Sequence, residues 1–257
     1  DMKPDRKIIL ENGLEMSGRS FGSKREQILE LVFNTSMTGY QEILSDLSYT
    51  GQAVVMTYPL IGNYGMADDD YESDRPGMGA MIVHEYNGEP SGFRSTRTLG
   101  EVMEMYDISG ISGVDTRKLA RSIRDQGSMK VLITDAAMPL DEGLRKLNGY
   151  SLPRDAVSRV SCRNIWQYAG WKGRFHVVAI DCGMKKNILR SLDRRECRVT
   201  VVPWDPPAER IRALRPDGVF ISNGPGDPND VPQTIETVRS LLGAFPIFGI
   251  CLGNQII

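Results

Sequence analysis

The chain has 257 residues, of which 40% are hydrophobic and 25% charged, and its formal net charge is −2. This composition is typical of a globular protein, and the length exceeds that of a common single domain, so two domains are expected. A nearly neutral chain lacks the basic footprint of proteins that bind nucleic acid or anionic membranes. No apolar run reaches the length of a transmembrane helix. We therefore expect no nucleic-acid partner and no membrane partner.

Cysteine usage and the first residues bear on the compartment. The four cysteines, Cys162, Cys182, Cys197 and Cys251, are widely spaced and form no C-x-x-C pair. This spacing argues against a zinc site and against a disulfide framework, so we expect no metal and a reducing compartment. The charged first residues lack the apolar core of a signal peptide. A cytoplasmic protein is the expectation that follows.

Residues 1–134 have the pattern of a strand-rich β/α domain. Short apolar runs predict strands at 28–33, 52–58, 79–84 and 129–134. Residues 115–124 predict a helix, because Leu119, Ala120 and Ile123 share one face and Asp115 or Thr116 can cap its start. Residues 135–172 carry prolines and only weak periodicity, which predicts a connector with some helix that is docked rather than free.

From residue 173 the chain alternates strands and helices with short connections. Strands are predicted at 176–181, 198–203, 217–222 and 246–250, and helices at 185–195, 207–214 and 231–242. This alternation predicts a doubly wound α/β domain with a parallel sheet covered on both faces. Functional groups in such sheets lie beyond the carboxyl ends of the strands. A glycine-rich run after the third strand and a cysteine after the fourth fall there.

The cysteine lies in the sequence Gly249-Ile250-Cys251-Leu252-Gly253, between an apolar strand and a helix-like segment. Gly-x-Cys-x-Gly at that place is the pattern of a nucleophile elbow, in which flanking glycines avoid clashes of a tight turn. A helix N-terminus also favours the thiolate, which is the nucleophilic form. The alternative is a structural cysteine buried in an apolar strand, since free cysteine is often buried.

The glycine-rich run, residues 223–228, has the sequence NGPGDP. It is not a phosphate-binding loop, because no Gly-Lys-Ser/Thr follows. One interpretation is a simple turn, since N-G, P-G and D-P are turn signals. The other is an oxyanion site, since backbone N–H groups beside glycine can approach a substrate closely. A cysteine elbow at the same sheet edge favours acyl transfer through a thioester.

Five segments together carry a family resemblance. GPGDP at 224–228 and GICLGNQ at 249–255 resemble the two signatures of class I glutamine amidotransferase domains, whose fold is flavodoxin-like. NTSMTGYQEIL at 34–44, GISGVDTRKL at 110–119 and VAIDCGMKKNI at 178–188 resemble the small, glutaminase chain of carbamoyl-phosphate synthetase. The resemblance implies an N-terminal small-chain domain over 1–134 and the first part of an amidotransferase domain over 173–257.

The resemblance also implies roles. Cys251 attacks the glutamine side-chain amide, and the backbone N–H groups of Gly226 and Leu252 form the oxyanion hole. The residues implied to contact glutamine are Ser36, Gly224, Gly226, Leu252 and Gln255. Ser36 alternatively caps a helix or forms a turn. The implied partner is a large chain that uses ATP, Mg²⁺ and bicarbonate to make carbamoyl phosphate for arginine and pyrimidine synthesis. No cofactor is expected in this chain.

One part of the family pattern has no match. The chain has two histidines, His84 and His176, and neither occupies the place of the family's catalytic histidine, which lies with its glutamate beyond the elbow. We therefore expect a C-terminally incomplete domain, truncated after the elbow, that alone turns glutamine over poorly. Two alternatives stay open. The chain is the glutaminase part of another amidotransferase, such as those of anthranilate, GMP or CTP synthesis, or it is a non-catalytic scaffold that docks and regulates a synthetase.

Overall fold

The computed structural model describes residues 2–37, 39–62, 71–74, 76–89, 97–168 and 171–257. Thr38 of the 34–44 motif and residues 169–170 of the predicted connector lie outside these ranges. The chain forms two compact units, residues 1–152 and 153–257. The predicted connector, 135–172, is therefore not a separate segment, because its residues are divided between the two units.

The first unit is built on a closed barrel with the strand order β1-β2-β8-β6-β4-β3-β9. Its strands are β1 (Arg6–Leu10), β2 (Glu15–Gly22), β3 (Gln27–Asn34), β4 (Gln52–Met56), β6 (Ala80–Ile82), β8 (Ser109–Ser112) and β9 (Met129–Asp135). Two short strands, β5 (Leu60–Ile61) and β7 (Glu85–Tyr86), pair separately. Alternate residues such as Ile8 and Leu10 are fully buried in the core cluster that fills the barrel, as a half-buried strand requires.

Four helices are described in the first unit: α1 (Tyr40–Ser45), α2 (Leu99–Met105), α3 (Thr116–Gln126) and α4 (Leu140–Asn148). The predicted helix at 115–124 is confirmed as α3, and the Asp115 side chain caps it by accepting the Lys118 N–H at 3.0 Å. Leu119 and Ile123 pack into the barrel core. Leu147 of α4 packs on Ile9 and Leu132, which ties the start of the predicted connector to this unit.

The second unit is a five-stranded sheet in the order β10-β12-β11-β13-β14. Its strands are β10 (Trp166–Gln167), β11 (Phe175–Asp181), β12 (Cys197–Pro203), β13 (Gly218–Ile221) and β14 (Ile247–Gly249). β11 to β14 are parallel, and β10 is an antiparallel edge strand. In chain order the parallel strands lie second, first, third, fourth, which is the flavodoxin-like order with its switch point between β11 and β13.

Helices cover both faces of this sheet. They are α5 (Ala156–Val160), α6 (Lys186–Asp193), α7 (Ala208–Ala213), α8 (Pro232–Leu241) and α9 (Leu252–Ile256). Val178 and Ile180 face the cluster that contains residues of α5, α7, α8 and α9. Ala179, between them, faces the cluster that contains Leu189 of α6. The predicted doubly wound arrangement is confirmed. Within the ranges given above, no helix is both long enough and apolar enough to cross a membrane.

Candidate nucleophile site

Cys251 stands on a strained turn between β14 and α9. Its backbone has φ 52° and ψ −115°, in the positive-φ region that a non-glycine residue rarely adopts, and its side chain is exposed. Such a conformation costs about 1–3 kcal/mol and persists only where the surrounding structure imposes it. The turn thus lifts the thiol clear of the sheet, as expected of a nucleophile elbow.

The flanking glycines show what imposes this conformation. A Cβ on Gly253 would lie 2.0 Å from the carbonyl oxygen of Ile221, and one on Gly249 would lie 2.4 Å from the carbonyl carbon of Gly253. The Ile250 N–H donates to the Ile221 carbonyl at 3.2 Å, and the Gly253 N–H donates to Ile250 at 2.9 Å. The elbow is therefore pressed against the end of β13, and its glycines permit that contact.

The other cysteines have different surroundings. Burial, with the negative charge of Asp181 as a second cause, raises the pKa of Cys182 to about 12 and that of Cys162 to about 12. Burial also raises the pKa of Cys197. These three thiols are disfavoured as thiolates, and Cys251 is the exposed cysteine. The buried-cysteine alternative therefore describes Cys182 and not Cys251.

The glycine-rich run lies next to the elbow. Gly224 is buried, and a Cβ on it would lie 2.1 Å from the Cys182 carbonyl oxygen, whereas Gly226 is exposed with φ +84°. Asp227 accepts the Asn229 N–H at 2.8 Å and caps a 3-10 turn, Pro228–Asp230, which contacts α9. The run is a turn, as one interpretation predicted, and it also borders the elbow.

The two backbone N–H groups expected to form the oxyanion hole belong to Leu252 and Gly226, and that role stays a prediction. Leu252 is the first residue of α9, and the first N–H groups of a helix have no acceptor within that helix. Within the part of the chain that the structure describes, the Gly226 N–H donates no hydrogen bond. Gln255, one turn into α9, is exposed and donates its backbone N–H to Cys251 at 3.0 Å. The second unit thus brings Cys251, Leu252, Gly224, Gly226 and Gln255 to one sheet edge.

Ser36 belongs to the first unit, in the exposed loop that follows β3. Its backbone N–H donates to the Asn34 side chain at 2.8 Å, which forms a local Asx turn. It does not cap α1, whose N-cap residue is Gly39. Of the two structural alternatives, the turn is the one observed, and the contact of Ser36 with glutamine stays a prediction.

Neither histidine is placed at the elbow by its own unit. His176 is buried near the start of β11, with Nε2 2.9 Å from Thr200 Oγ1, whereas the elbow follows the opposite ends of the strands. Burial, and then the positive charge of Arg198, lower its pKa, so the neutral ring is favoured. His84 lies in the first unit with Nδ1 3.2 Å from the Val114 carbonyl oxygen.

Sequence reasoning missed two polar residues that hold the loops of this edge. Asp181 ends β11, and its carboxylate accepts the N–H groups of Cys162, Gly183 and Met184 at 2.8, 2.9 and 3.0 Å. Ser222 follows β13, is fully buried, and accepts the Cys182 N–H at 2.8 Å. The available signal was a hydrogen-bonding side chain directly at the end of a buried strand.

Both units of the chain match models of known protein families. The family model described as carbamoyl-phosphate synthase small chain, CPSase domain, matches residues 8–133, and that of class I glutamine amidotransferases matches residues 178–257. The pyrimidine-specific carbamoyl phosphate synthase small chain of Bacillus subtilis is 48% identical over 251 residues, covering 98% of this chain and 68% of that protein. The small chain of Bacillus caldolyticus is 50% identical over 251 residues, with the same two coverages, 98% and 68%.

The chain belongs to the carbamoyl-phosphate synthase small-chain family. This membership excludes the glutaminase parts of anthranilate, GMP and CTP synthesis, because the model matching residues 8–133 is that of the small chain itself. Among solved structures, an aminopeptidase from Aneurinibacillus sp. strain AM-1 aligns with 86% of this chain and 56% of its own at 12% identity. The TM-score of that alignment is 0.29.

Proposed function

We propose that this small-chain family member is the glutaminase subunit of carbamoyl-phosphate synthase, a ligase, and that Cys251 is its nucleophile. The observation that carries the proposal is the exposed Cys251 on a positive-φ turn at the N-terminus of α9. Covalent catalysis needs an accessible thiol held in a fixed geometry, together with donors where negative charge develops.

The proposed reaction begins with attack of the Cys251 sulfur on the side-chain amide carbon of glutamine. The carbonyl oxygen becomes an oxyanion that accepts hydrogen bonds from the Gly226 and Leu252 N–H groups. The carbon–nitrogen bond then breaks, the nitrogen takes up a proton, and ammonia leaves a thioester. Water hydrolyses the thioester to glutamate and restores the thiol. Gly224, Gln255 and Ser36 contact glutamine in this proposal.

Two steps of that sequence need a proton carrier, since the leaving nitrogen must be protonated and the attacking water deprotonated. His176 lies at the opposite ends of the strands from the elbow, and its Nε2 is within hydrogen-bond distance of Thr200 Oγ1. We therefore propose that the base comes from outside residues 1–257, and that these residues alone turn glutamine over poorly. The ammonia passes to the large chain, where ATP, Mg²⁺ and bicarbonate give carbamoyl phosphate for arginine or pyrimidine synthesis. No metal or cofactor of this chain takes part.

The experiment compares ammonia release from glutamine by two preparations. The first is the native polypeptide that carries these residues, isolated with its large chain, and the second is a polypeptide of residues 1–257 alone. We expect turnover by the complex and little or none by residues 1–257. Both preparations are also treated with a glutamine analogue that carries an electrophilic carbon, and the labelled residue is located by mass spectrometry. One label on Cys251 of the complex is the expected result.

The outcomes separate the proposal from its alternative. A complex that neither releases ammonia nor takes up the analogue is a non-catalytic docking scaffold, and the glutaminase proposal fails. Turnover by residues 1–257 alone contradicts the external base and directs the search to groups within the chain. A label on a cysteine other than Cys251 removes Cys251 as the nucleophile.

A further inference from the structure

Two loops meet at the switch point of the second unit, and a single hydroxyl joins them. One loop follows β11 and runs from Cys182 to Lys185. The other, called the glycine loop below, follows β13 and runs from Ser222 to Gly226. Ser222 Oγ accepts the N–H of Cys182 at 2.8 Å and donates to the carbonyl of Asn223 at 2.7 Å. The hydroxyl therefore connects the loop after β11 to the first peptide of the glycine loop.

Neighbouring contacts reinforce that connection. The Asn223 side-chain oxygen accepts the Lys185 N–H at 3.2 Å, at the start of α6. Gly224 is packed so closely on the Cys182 carbonyl that a Cβ would stand 2.1 Å from its oxygen. Ser222 is fully buried and Asn223 is 3% exposed, so these bonds are shielded from bulk water. The path of the glycine loop is thus set by the loop after β11.

The elbow also packs against the end of β13. Gly253 packs on the Ile221 carbonyl, where a Cβ would lie 2.0 Å away, and also near the Ser222 carbonyl, where it would lie 2.9 Å away. The two proposed oxyanion donors therefore lie on segments that both start from contacts at the end of β13. The Gly226 N–H comes after Ser222 along the chain, and the Leu252 N–H comes directly before Gly253. A displacement of Ser222 changes the position of one donor relative to the other.

We propose that Ser222 is a positioning residue for the oxyanion hole, acting through the glycine loop and touching neither glutamine nor Cys251. This proposal rests on the proposed glutaminase function. A buried hydroxyl that satisfies an N–H and a carbonyl fixes the backbone in one arrangement, and its removal leaves the buried Cys182 N–H without an acceptor. Misplacing one oxyanion donor lowers the rate of the chemical step more than it weakens substrate binding.

The test is the variant S222A in the native complex, with S161A as its matched control. Ser161 Oγ makes bonds of the same kind, accepting the Trp204 N–H at 3.0 Å and donating to the Cys162 carbonyl at 3.3 Å. We expect S222A to lower kcat for glutamine by roughly 10- to 100-fold with KM changed less than about threefold, on the scale of losing part of an oxyanion donor. We expect S161A to leave both parameters near the wild-type values.

Alkylation of Cys251 by iodoacetamide provides the second readout. This displacement forms no oxyanion, so S222A should alkylate Cys251 at the wild-type rate if only the glycine loop has moved. A parallel fall in alkylation and kcat means that the surroundings of the Cys251 thiol have changed as well, and it overturns the positioning role. Unchanged kcat in S222A also overturns it. A wild-type complex without glutaminase activity contradicts the proposed function instead, and is recognised before any variant is compared.

Discussion

Two cysteines at the same edge of one sheet have opposite surroundings. Cys182 follows β11 and is fully buried, and burial raises the pKa of its thiol to about 12. Cys251 follows β14 and is exposed at φ 52°. Each is preceded by a strand and lies one or two residues before a glycine. The two cysteines therefore share a strand-to-loop position and differ in exposure and in backbone conformation.

The largest effect expected from this comparison is that of C251A in the native complex. Without the sulfur no thioester can form, so glutamine-dependent ammonia release should fall by roughly a thousandfold or more. C182A, which removes only a buried sulfur, should keep at least about a tenth of the wild-type activity, because it takes no part in the covalent step. Ammonia release with saturating glutamine is the measurement.

The control for both cysteine variants is C197A. Cys197 is half-buried at the start of β12, at the opposite end of the strands from the elbow, so its loss should leave turnover unchanged. If C182A proves as inactive as C251A, the assignment of a single nucleophile does not stand. If C251A retains full activity, the thioester route is wrong.

A smaller effect is expected when the support of the elbow is altered and the thiol retained. In G253A the new Cβ meets the Ile221 carbonyl oxygen at 2.0 Å, which is backbone and cannot swing aside. The elbow has to move, and we expect kcat to fall about 100-fold with a loss of about 1–3 kcal/mol in the free energy of unfolding. Activity and urea unfolding of the same samples give both quantities.

Gly218 lies on β13, the strand against whose end Gly253 packs, and it supplies the matched substitution. In G218A the new Cβ lies 3.5 Å from the Pro246 carbonyl oxygen, an ordinary contact, so activity and stability should stay near those of the wild type. Equal losses in G218A and G253A would show that any added methyl group disturbs β13. Full activity in G253A would remove close packing as the reason for glycine at this position.

Sequence reasoning located these features unevenly, and the reason is physical. The elbow was predictable because its glycines and cysteine act on one another within five positions. The helix α3 was predictable from its own cap and apolar face. β1 and β2 were not predicted, because β1 starts with charged residues and β2 mixes exposed residues and glycine. Their pairing in the barrel depends on partners such as β9, far along the chain.

The same distinction holds within the site. Cys251, Gly224 and Gly226 stand in short sequence motifs that are recognisable without their distant contacts. The contacts of Ser222 join it to Cys182, 40 positions earlier in the chain, and those of Asp181 reach back to Cys162. No periodicity records such pairs, because they depend on which strands the sheet places side by side. The division of residues 135–172 between the two units was not predictable for a related reason, since Leu147 finds its packing partners on β1 and β9.

The smallest expected effect concerns the pH dependence of stability, and it tests Cys182, the buried one of the two cysteines compared above. The pKa of Cys182 is raised by burial from 9.0 to about 12, so folding favours the neutral thiol. Its contribution to stability is complete below pH 9 and is lost as the pH rises towards 12. Between about pH 8.5 and 10.5 we expect the free energy of unfolding to fall more steeply in the wild type than in C182A. The reason is that the Cys182 thiol ionises in the unfolded chain at a pH at which it is still protonated in the folded chain.

The comparison variant for this measurement is I180V, which shortens a fully buried side chain on β11, two residues before Cys182, without removing a titratable group. I180V and C182A should both lose about 1 kcal/mol at pH 7, but I180V should keep the steep alkaline slope. The pKa of the half-buried Cys162 thiol is raised in the same direction. C182A should therefore keep a shallower fall of stability with rising pH. Equal slopes in all three proteins would mean that Cys182 ionises as readily in the folded chain as in the unfolded one, and the contrast with Cys251 would then rest on exposure and backbone geometry alone.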